Sequence, residues 1–250
     1  MLGIGACSSA LKRVGIDHEI VDAVEIDKYA IASFNAIHGT NFKVQDICDW
    51  DKQIEADLIM HGSPCQDFSI AGLQAGGDVG SGTRSSLMYE TIRIVGKIRP
   101  KYVVWENVKN LLSKKHIHNF DNYLNAMSSL GYNNYYKVLN SKDYGIPQNR
   151  ERVFAVSIRK DIDNKTFEFP EKQELKLRLK DMLDSDVDKK YYLTDSQISH
   201  IRVQMEEKKQ CDDVERIGGL YDTEEVTHQA GSIFNKNGLS PTLDAMRWWK

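Results

Sequence analysis

The sequence predicts an α/β fold with a doubly wound, mostly parallel sheet and helices on both of its faces. Two observations support this prediction. Short apolar runs, typical of buried strands, alternate along residues 20–158 with segments whose apolar residues recur at helical spacing. Glycine or proline follows these helical segments, at the positions where helices usually end. Such alternation is typical of parallel strands joined by helical crossovers.

The individual elements follow from the same patterns. Strands are predicted at Ile20–Ile26, Asp57–Met60, Tyr102–Trp105, Tyr135–Leu139 and Val153–Ile158. Helices are predicted at Lys28–His38, Ser86–Ile98 and Asn119–Leu130, which are followed by Gly39, Pro100 and Gly131. Ligands of parallel α/β sheets bind beyond the carboxyl ends of the strands. Side chains at those ends are therefore the candidates for a functional site.

The texture of the chain changes after Lys160. Glu171–Asp188 is dense in charged residues and leucine, and we interpret it as a linker or helical bridge. Within residues 217–245, glycines and Ser240-Pro241 separate short strand-like pieces. The sequence thus predicts a catalytic, cofactor-binding domain at residues 1–160, with a linker and a partial second domain at residues 161–250.

Composition bounds the class of protein. The chain has 250 residues, of which 41% are hydrophobic and 28% are charged, as in globular proteins. It has no apolar run of the ~18 residues that a membrane span needs, so we expect no membrane association. Four cysteines stand without any Cys-x-x-Cys pair, which argues against a zinc site or a disulfide framework. We expect a reducing, cytoplasmic setting and no bound metal.

The charge distribution is uneven although the net charge is only −3. Between Arg84 and His118, eight lysines and arginines stand against two acidic residues. This basic region supports contact with nucleic-acid phosphates. The alternative is that about half of these side chains merely solvate helix faces, and the sequence leaves both interpretations open.

The most informative segment is Gly-Ser-Pro-Cys-Gln-Asp-Phe-Ser at residues 62–69. It places Cys65 in a loop directly after a predicted buried strand, where a thiol is accessible enough to react. Alone this is weak, because isolated cysteines are more often simply buried. Two later segments add weight. They are Glu106-Asn107-Val108 at the end of a strand and Gln148-x-Arg150-x-Arg152 further along.

With the glycine-rich start Gly3-Ile4-Gly5, these segments in this order resemble the DNA cytosine-5 methyltransferase family. The resemblance is dense over residues 1 to about 160 and looser beyond. It implies the fold of S-adenosylmethionine-dependent methyltransferases with a smaller target-recognition domain. It also implies double-stranded DNA as the partner, and methyl transfer to C5 of a cytosine in a specific sequence, in a restriction-modification or phage self-protection context.

The resemblance assigns roles to individual residues. Cys65 would be the nucleophile, Glu106 would hydrogen-bond to cytosine N3, Arg152 would hold cytosine O2 and Arg150 would contact a backbone phosphate. The Ser63 carbonyl would accept a hydrogen bond from the exocyclic amine. The DNA contacts are expected at Gln66, Ser69 and Arg84. Because a stacked base cannot reach a thiolate in a crevice, base flipping is implied as well.

The cofactor S-adenosylmethionine is assigned in the same way to Gly3, Gly5, Glu25, Asp46 and Pro64. Judged by the residues alone, the glycines and the carboxylate of Glu25 fit NAD equally well. Asp46 could instead cap a helix. At position 8, however, Ser8 stands where a dinucleotide site has its third glycine.

Two alternatives accompany this interpretation. Relative to the family, the chain lacks most of a first strand and the last motifs, and it therefore resembles a form truncated at both ends. We accordingly expect residues 1–250 alone to be poorly soluble and inactive, and a catalytically silent fragment or subunit that needs a complementary chain is the first alternative. The tRNA branch of the family is the second. Its Cys-Phe-Thr segment is not found here.

Overall fold

The computed structural model describes residues 3–64, 87–199, 202–203, 212–220 and 231–242. The chain divides into two compact units. The first comprises Met1–Val138 and Arg152–Phe169, and the second comprises Leu139–Glu151 and Pro170–Lys250. The sequence predicts a single boundary after residue 160. In the structure, the second unit is instead discontinuous in sequence, because Leu139–Glu151 belongs to it as well as Pro170–Lys250.

Among the described residues of the first unit, four α-helices are formed: α1 (Ala6–Arg13), α2 (Lys28–His38), α3 (Met88–Ile98) and α4 (Ile117–Ser129). The structure confirms the predicted helix at Lys28–His38. Asp27 caps it by accepting hydrogen bonds from the N–H groups of Tyr29 and Ala30, and Gly39 ends it at a φ of 67°. The other two predicted helices, α3 and α4, lie within about two residues of their predicted bounds.

The sheet of the first unit has four strands in the order β1-β2-β4-β3. They are β1 (Leu58–His61), β2 (Tyr102–Val108), β3 (Tyr132–Asn140) and β4 (Glu151–Arg159). β1 pairs with β2 in parallel, whereas β4 runs antiparallel to β2. The predicted α/β fold is confirmed, and the sheet is mixed rather than parallel throughout.

The predicted strand Ile20–Ile26 is wrong, since these residues form neither a strand nor a helix. The segment is instead held by specific hydrogen bonds. The N–H of Gln45 donates to the carbonyl of Glu25 at 2.9 Å, and the Asp22 carboxylate accepts from Trp50 and Gln45 at 2.8 Å each. Alternating apolar residues specify which side chains are buried. They do not supply a neighbouring strand to pair with.

Strand β2 runs through the main core of the first unit. Its residues alternate between buried and partly exposed, so that Val103, Trp105 and Asn107 point to one face and Glu106 points to the other. Trp105 is 1% exposed and packs with Phe120, Tyr123 and other fully buried side chains. Burial of each such large side chain stabilises the fold by roughly 1.5–3 kcal/mol, which holds the end of β2 rigidly in place.

The second unit contains a three-stranded antiparallel sheet of β5 (Arg202–Val203), β6 (Arg216–Gly219) and β7 (Ser232–Phe234), together with the short helix α5 (Asp195–Ser199). Two of these strands confirm the strand-like pieces predicted after residue 216. The proposed helical bridge at Glu171–Asp188 is wrong, because it holds only a 3₁₀ turn at Leu179–Met182.

Buried polar groups hold the second unit together. Asn235 is fully buried and donates to the Glu215 carboxylate at 2.6 Å. Its backbone N–H donates to the Glu215 carbonyl at 2.8 Å. Within the residues described, no helix is both long and apolar enough to cross a membrane.

Candidate functional site

The parallel pairing of β1 and β2 creates the candidate site. Met60 lies opposite Val104, and His61 lies opposite Trp105. The residues that follow β1 therefore leave the sheet beside Glu106. Gly62 is so close that a Cβ atom built on it would lie 3.3 Å from a Glu106 carboxylate oxygen. The first residues of the predicted nucleophile loop and the predicted acid are thus neighbours.

Ser63 is tied to β2 through its side chain. Its hydroxyl oxygen accepts a hydrogen bond from the indole N–H of Trp105 at 2.9 Å and another from the side-chain amide of Asn107 at 3.0 Å. All three residues are buried. Pro64 follows and is half-buried. The main chain that leads into the loop is therefore anchored to the same strand that carries Glu106.

Glu106 forms an ion pair with Arg152, with 3.0 Å between Arg152 Nε and a carboxylate oxygen of Glu106. Phe154 is the register partner of Glu106, so Arg152 is its diagonal neighbour on the same face of the sheet. The side chain of Glu106 is 34% exposed and that of Arg152 is 17% exposed, so solvent can reach the Glu106 carboxylate. The structure thus brings two of the predicted catalytic residues together.

The remaining members of the predicted loop lie outside the described residues. Cys65, Gln66, Ser69 and Arg84 belong to residues 65–86. Their roles stay predictions from the sequence, and Pro64 is the last residue before them that the structure describes.

Arg150 belongs to the second unit. Its backbone N–H donates to the Asn140 side chain at 3.0 Å, and its carbonyl accepts from the N–H of Ser141 at 3.1 Å. Arg150 and Arg152 do not share one strand, although their spacing would place two residues of a strand on one face, because β4 begins only at Glu151. Gln148 donates to the carbonyl of Pro241 at 3.1 Å.

The predicted cofactor residues of the first unit form a second group. The N–H of Gly3 donates to one carboxylate oxygen of Glu25 at 3.0 Å. The other oxygen accepts from the N–H groups of Ile26 at 2.9 Å and Asp27 at 3.1 Å. Burial acts to raise the pKa of Glu25, but the hydrogen bonds that the carboxylate accepts, including those from Gly3 and Asp27, lower the pKa below its ordinary value. Glu25 is therefore ionised at neutral pH.

The glycine-rich start turns sharply into helix α1. Gly3 and Gly5 have φ values of 61° and 88°, which L side chains rarely adopt. A Cβ on Gly5 would lie 2.2 Å from the His38 ring and 2.7 Å from that of Phe34. In the first turn of α1, burial raises the pKa of the Cys7 thiol, and the negative charge of Glu106 raises it further. Glu106 thus acts electrostatically on the residues that follow Gly5.

Asp22 holds the surroundings of Glu25 in place. Its carboxylate accepts four hydrogen bonds, from the backbone N–H of Ala23 and from the side chains of Gln45, Trp50 and Lys52. The network joins the segment before Glu25 to the segment that contains Asp46. Asp46 itself is half-buried and accepts from the N–H of Cys48 at 2.9 Å in a turn that leads into no helix. The alternative role of Asp46 as a helix cap is therefore not observed.

The structure describes several members of the basic region, and these make contacts within the protein. Arg93 pairs with Glu90 and donates to the carbonyls of Trp50 and Ile47. Lys101 pairs with Asp57 at 2.8 Å, and Lys97 and Arg99 contact Asp51 and the Leu130 carbonyl. Among the residues that the structure describes, these four basic side chains therefore have partners within the first unit. Contact of the others with phosphate stays a prediction. Over the described residues, no cluster of histidine, cysteine and acidic side chains could hold a metal ion.

Solved structures identify the class of this fold. The Dnmt2 methyltransferase of S. pombe matches with a TM-score of 0.57 and 21% identity, over 79% of this chain and 62% of that protein. The Entamoeba histolytica methyltransferase EhMeth matches with a TM-score of 0.61 and 18% identity, over 78% of this chain and 62% of that protein. At such identities the likeness shows the fold alone, which is that of a methyltransferase.

The sequence comparison is more specific. Residues 1–248 match the family described as C-5 cytosine-specific DNA methylase, and the chain belongs to this family. The type II methyltransferase M2.ScrFI of Lactococcus lactis is 36% identical over 79% of this chain and 69% of its own length. The orphan methyltransferase M.SPRI of Bacillus phage SPR is 34% identical over 96% of this chain. There the chain spans only 62% of the relative's length.

Several side chains that support the site are not identifiable from sequence patterns. Ser63 is predicted only as a carbonyl acceptor and Trp105 only as a strand residue, and no pattern gives Asp22 a role. Asn107 stands inside the Glu-Asn-Val motif, which is the one signal that could have revealed its bond to Ser63. The partners of Trp105 and Asp22 lie far away in sequence, and no local pattern identifies them.

We predict that Gly5→Ala destabilises the protein more than Gly39→Ala does. Both glycines have positive φ, so both substitutions strain the backbone by about 1 kcal/mol. Only the new Cβ at position 5 collides with Phe34 and His38, because no atom lies within 4 Å at position 39. Overpacking should add about 1–3 kcal/mol to the loss in the free energy of unfolding. Urea unfolding of both variants measures it, and equal losses would contradict the predicted collision.

We also predict that Glu25 makes stability depend on acid pH. Because folding lowers its pKa below the ordinary value of 4.5, the stabilisation is fully present above that value and is lost as pH falls towards the lower folded pKa. The free energy of unfolding should therefore drop more steeply between about pH 5 and pH 3 in the unaltered protein than in Glu25→Gln. Urea titrations at each pH test this. The exposed Glu19→Gln serves as the control and should follow the unaltered protein.

Proposed function

We propose that this chain transfers a methyl group from S-adenosylmethionine to C5 of a cytosine in DNA, with Cys65 as the covalent nucleophile. One observation carries the proposal. The parallel pairing of β1 and β2 brings Gly62, at the start of the segment that leads to Cys65, beside Glu106, which is itself paired with Arg152. The loop that contains Cys65 thus starts next to an acid and a cation suited to a pyrimidine ring.

The role of Cys65 follows from the chemistry of cytosine, whose C5 is a poor nucleophile. Addition of the Cys65 thiolate to C6 forms a C–S bond and moves the electron pair of the C5=C6 double bond towards C5. S-adenosylmethionine supplies the methyl group from a sulfonium to this activated carbon. Loss of the C5 proton, for which we propose water as the base, then restores the double bond. The thiolate leaves with the electron pair of the C–S bond.

Glu106 and Arg152 are the proposed partners of two further atoms of the cytosine ring, N3 and O2. In its protonated form, Glu106 can give a proton or a hydrogen bond to N3, which stabilises the negative charge that develops when the thiolate adds to C6. Arg152 is a donor only and suits the carbonyl oxygen O2. The ion pair at 3.0 Å holds the two groups at a fixed spacing before any base enters.

The residues around Glu25 fit S-adenosylmethionine. An ionised, largely buried carboxylate is the partner that ribose hydroxyls require, and Glu25 is held in that state by backbone N–H groups. Gly3 and Gly5 leave backbone without side chains at the start of α1. Asp46, joined to the same hydrogen-bonded segment, is the proposed partner of the adenine amine, and Pro64 the proposed contact from the loop side.

The proposed substrate is double-stranded DNA with its target base flipped out. Gln66, Ser69 and Arg84 are the proposed contacts to the strand, Arg150 contacts a phosphate, and the second unit selects the target sequence. The names of the relatives support a role in restriction-modification or in a phage: one is a type II methyltransferase and another is a phage orphan methyltransferase.

We predict that Cys65→Ser abolishes methyl transfer, because a hydroxyl is a much poorer nucleophile than a thiolate at neutral pH. Tritium from labelled S-adenosylmethionine is counted on mixed bacterial genomic DNA, which requires no knowledge of the target. Binding of S-adenosylmethionine, measured by calorimetry, should stay within about threefold, since serine and cysteine are similar in size. Equal incorporation by the two proteins would remove Cys65 from the mechanism.

A second readout of the same pair detects the covalent step. DNA is amplified with 5-fluorocytosine in place of every cytosine, so that elimination of the C5 substituent is blocked. The unaltered chain should form an adduct that survives denaturing electrophoresis, and peptide mapping should place it on Cys65. Cys65→Ser should form none. Failure of the unaltered chain to form an adduct or to incorporate tritium would contradict the proposed function and favour the alternative of a catalytically silent fragment or subunit.

We further predict that Glu106→Gln lowers the rate about 10²-fold or more, the usual contribution of a positioned acid. Glu90→Gln is a matched control because Glu90 also pairs with an arginine, at 2.7 Å, and is similarly exposed at 31%. Its rate should stay near that of the unaltered chain. Single-turnover methylation measured across pH decides the matter, and a Glu106→Gln rate equal to that of Glu90→Gln would exclude the proposed role.

A further inference from the structure

A buried hydrogen bond joins Trp105 of β2 to Ser63, two residues before Cys65. An indole N–H can only donate, so the Ser63 hydroxyl oxygen must accept at 2.9 Å. Trp105 is 1% exposed and Ser63 is 5% exposed, so water competes poorly for either partner. Hydrogen bonds between groups removed from water are costly to break.

Asn107 completes the arrangement around the hydroxyl. Its side-chain oxygen accepts from the N–H of Val108 at 2.8 Å, and its amide nitrogen must therefore face Ser63, to which it donates at 3.0 Å. The distance from that nitrogen to the Ser63 carbonyl oxygen is 3.5 Å, which is at the limit of a hydrogen bond. The hydroxyl is thus held by two donors, while the carbonyl keeps capacity to accept a hydrogen bond from another group.

The indole ring itself is held firmly. It stacks on His61 with ring centres 5.9 Å apart and an interplanar angle of 6°, and it lies 4.1 Å from the ring of Tyr123. The His61 ring is hydrogen-bonded to the Tyr123 hydroxyl at 3.0 Å. Burial keeps His61 neutral by lowering its pKa to about 3. Packing on several sides fixes the direction of the indole N–H.

We propose that Trp105 and Ser63 act as a pair of positioning residues that aims the main chain of the nucleophile loop. This inference rests on the proposed function. The pair fixes the orientation of Ser63, whose carbonyl is the acceptor for the exocyclic amine of cytosine. Through Pro64 it also fixes the direction in which the chain enters Cys65. Neither side chain touches the substrate, and both act through the backbone that follows Ser63.

The test compares Trp105→Phe, which keeps an aromatic ring but removes the indole N–H, with Ser63→Ala, which removes the acceptor. Single-turnover adduct formation on 5-fluorocytosine DNA at saturating S-adenosylmethionine should slow about tenfold in each variant, the usual effect of one buried hydrogen bond. The double variant should be no slower than the slower single variant, because both changes break the same bond. Ser63→Thr keeps the hydroxyl and should restore most of the rate.

Trp50→Phe is the matched control. Trp50 is also buried, at 4% exposure, and its indole donates a bond of nearly equal length, 2.8 Å, to Asp22. Since that bond supports the segment around Glu25, this variant should raise the S-adenosylmethionine concentration required and leave the adduct rate at saturation within about twofold. A comparable loss of thermal stability in Trp50→Phe and Trp105→Phe, with slow adduct formation only in the latter, would support positioning.

The outcomes separate the two proposals. If the unaltered chain forms no adduct, the proposed function fails. If the unaltered chain forms the adduct and Ser63→Ala forms it at the same rate, the positioning role is overturned while the function stands. Should Trp105→Phe fail to fold, Ser63→Ala against Ser63→Thr still decides, because equal rates in those two variants would also overturn the inference.

Discussion

The parallel register of β1 and β2 is the constraint on which the candidate site depends. Parallel strands run towards the same edge of a sheet, and His61, the last residue of β1, pairs with Trp105, three residues before β2 ends at Val108. The segment after β1 therefore emerges beside Glu106. A shift of one residue in β2 would turn Glu106 into the core and Trp105 out of it. The fold would then lose the stabilisation that comes from burying the large Trp105 side chain.

Burial of the opposite face of β2 protects this register. Val103, Trp105 and Asn107 alternate into the core, and the aromatic side chains of α4 pack against Trp105. The same face that stabilises the fold carries the two donors that hold Ser63. Stability and site geometry are thus coupled, because the groups that hold the entrance of the loop cannot move without disturbing the core.

The surroundings of Glu25 follow a different physical principle. Residues 20–26 are not held by the hydrogen bonds of a strand. They are held by the carboxylate of Asp22, which accepts hydrogen bonds from four donors. At Asp22 the cost of burial opposes ionisation, but the hydrogen bonds from Lys52, Trp50 and Gln45 lower the pKa below its ordinary value. Hydrogen bonds to an ionised group are stronger than those between neutral groups, which suits a segment without regular structure. The position of Glu25 therefore depends on side-chain partners distant in sequence.

The sequence by itself determined what local chemistry can specify. Apolar spacing and Gly39 located α2, and a continuous apolar run located the first part of β2 with Glu106 directly after it. The motifs identified the family. Only the tertiary structure decided that Arg152 pairs with Glu106, that Gln148 and Arg150 precede β4, and that residues 20–26 form no strand. The physical reason is that helix caps and alternation act between near neighbours, whereas register, ion pairs and buried hydrogen bonds join residues tens of positions apart. Which of those partners meet is settled only when the whole core packs.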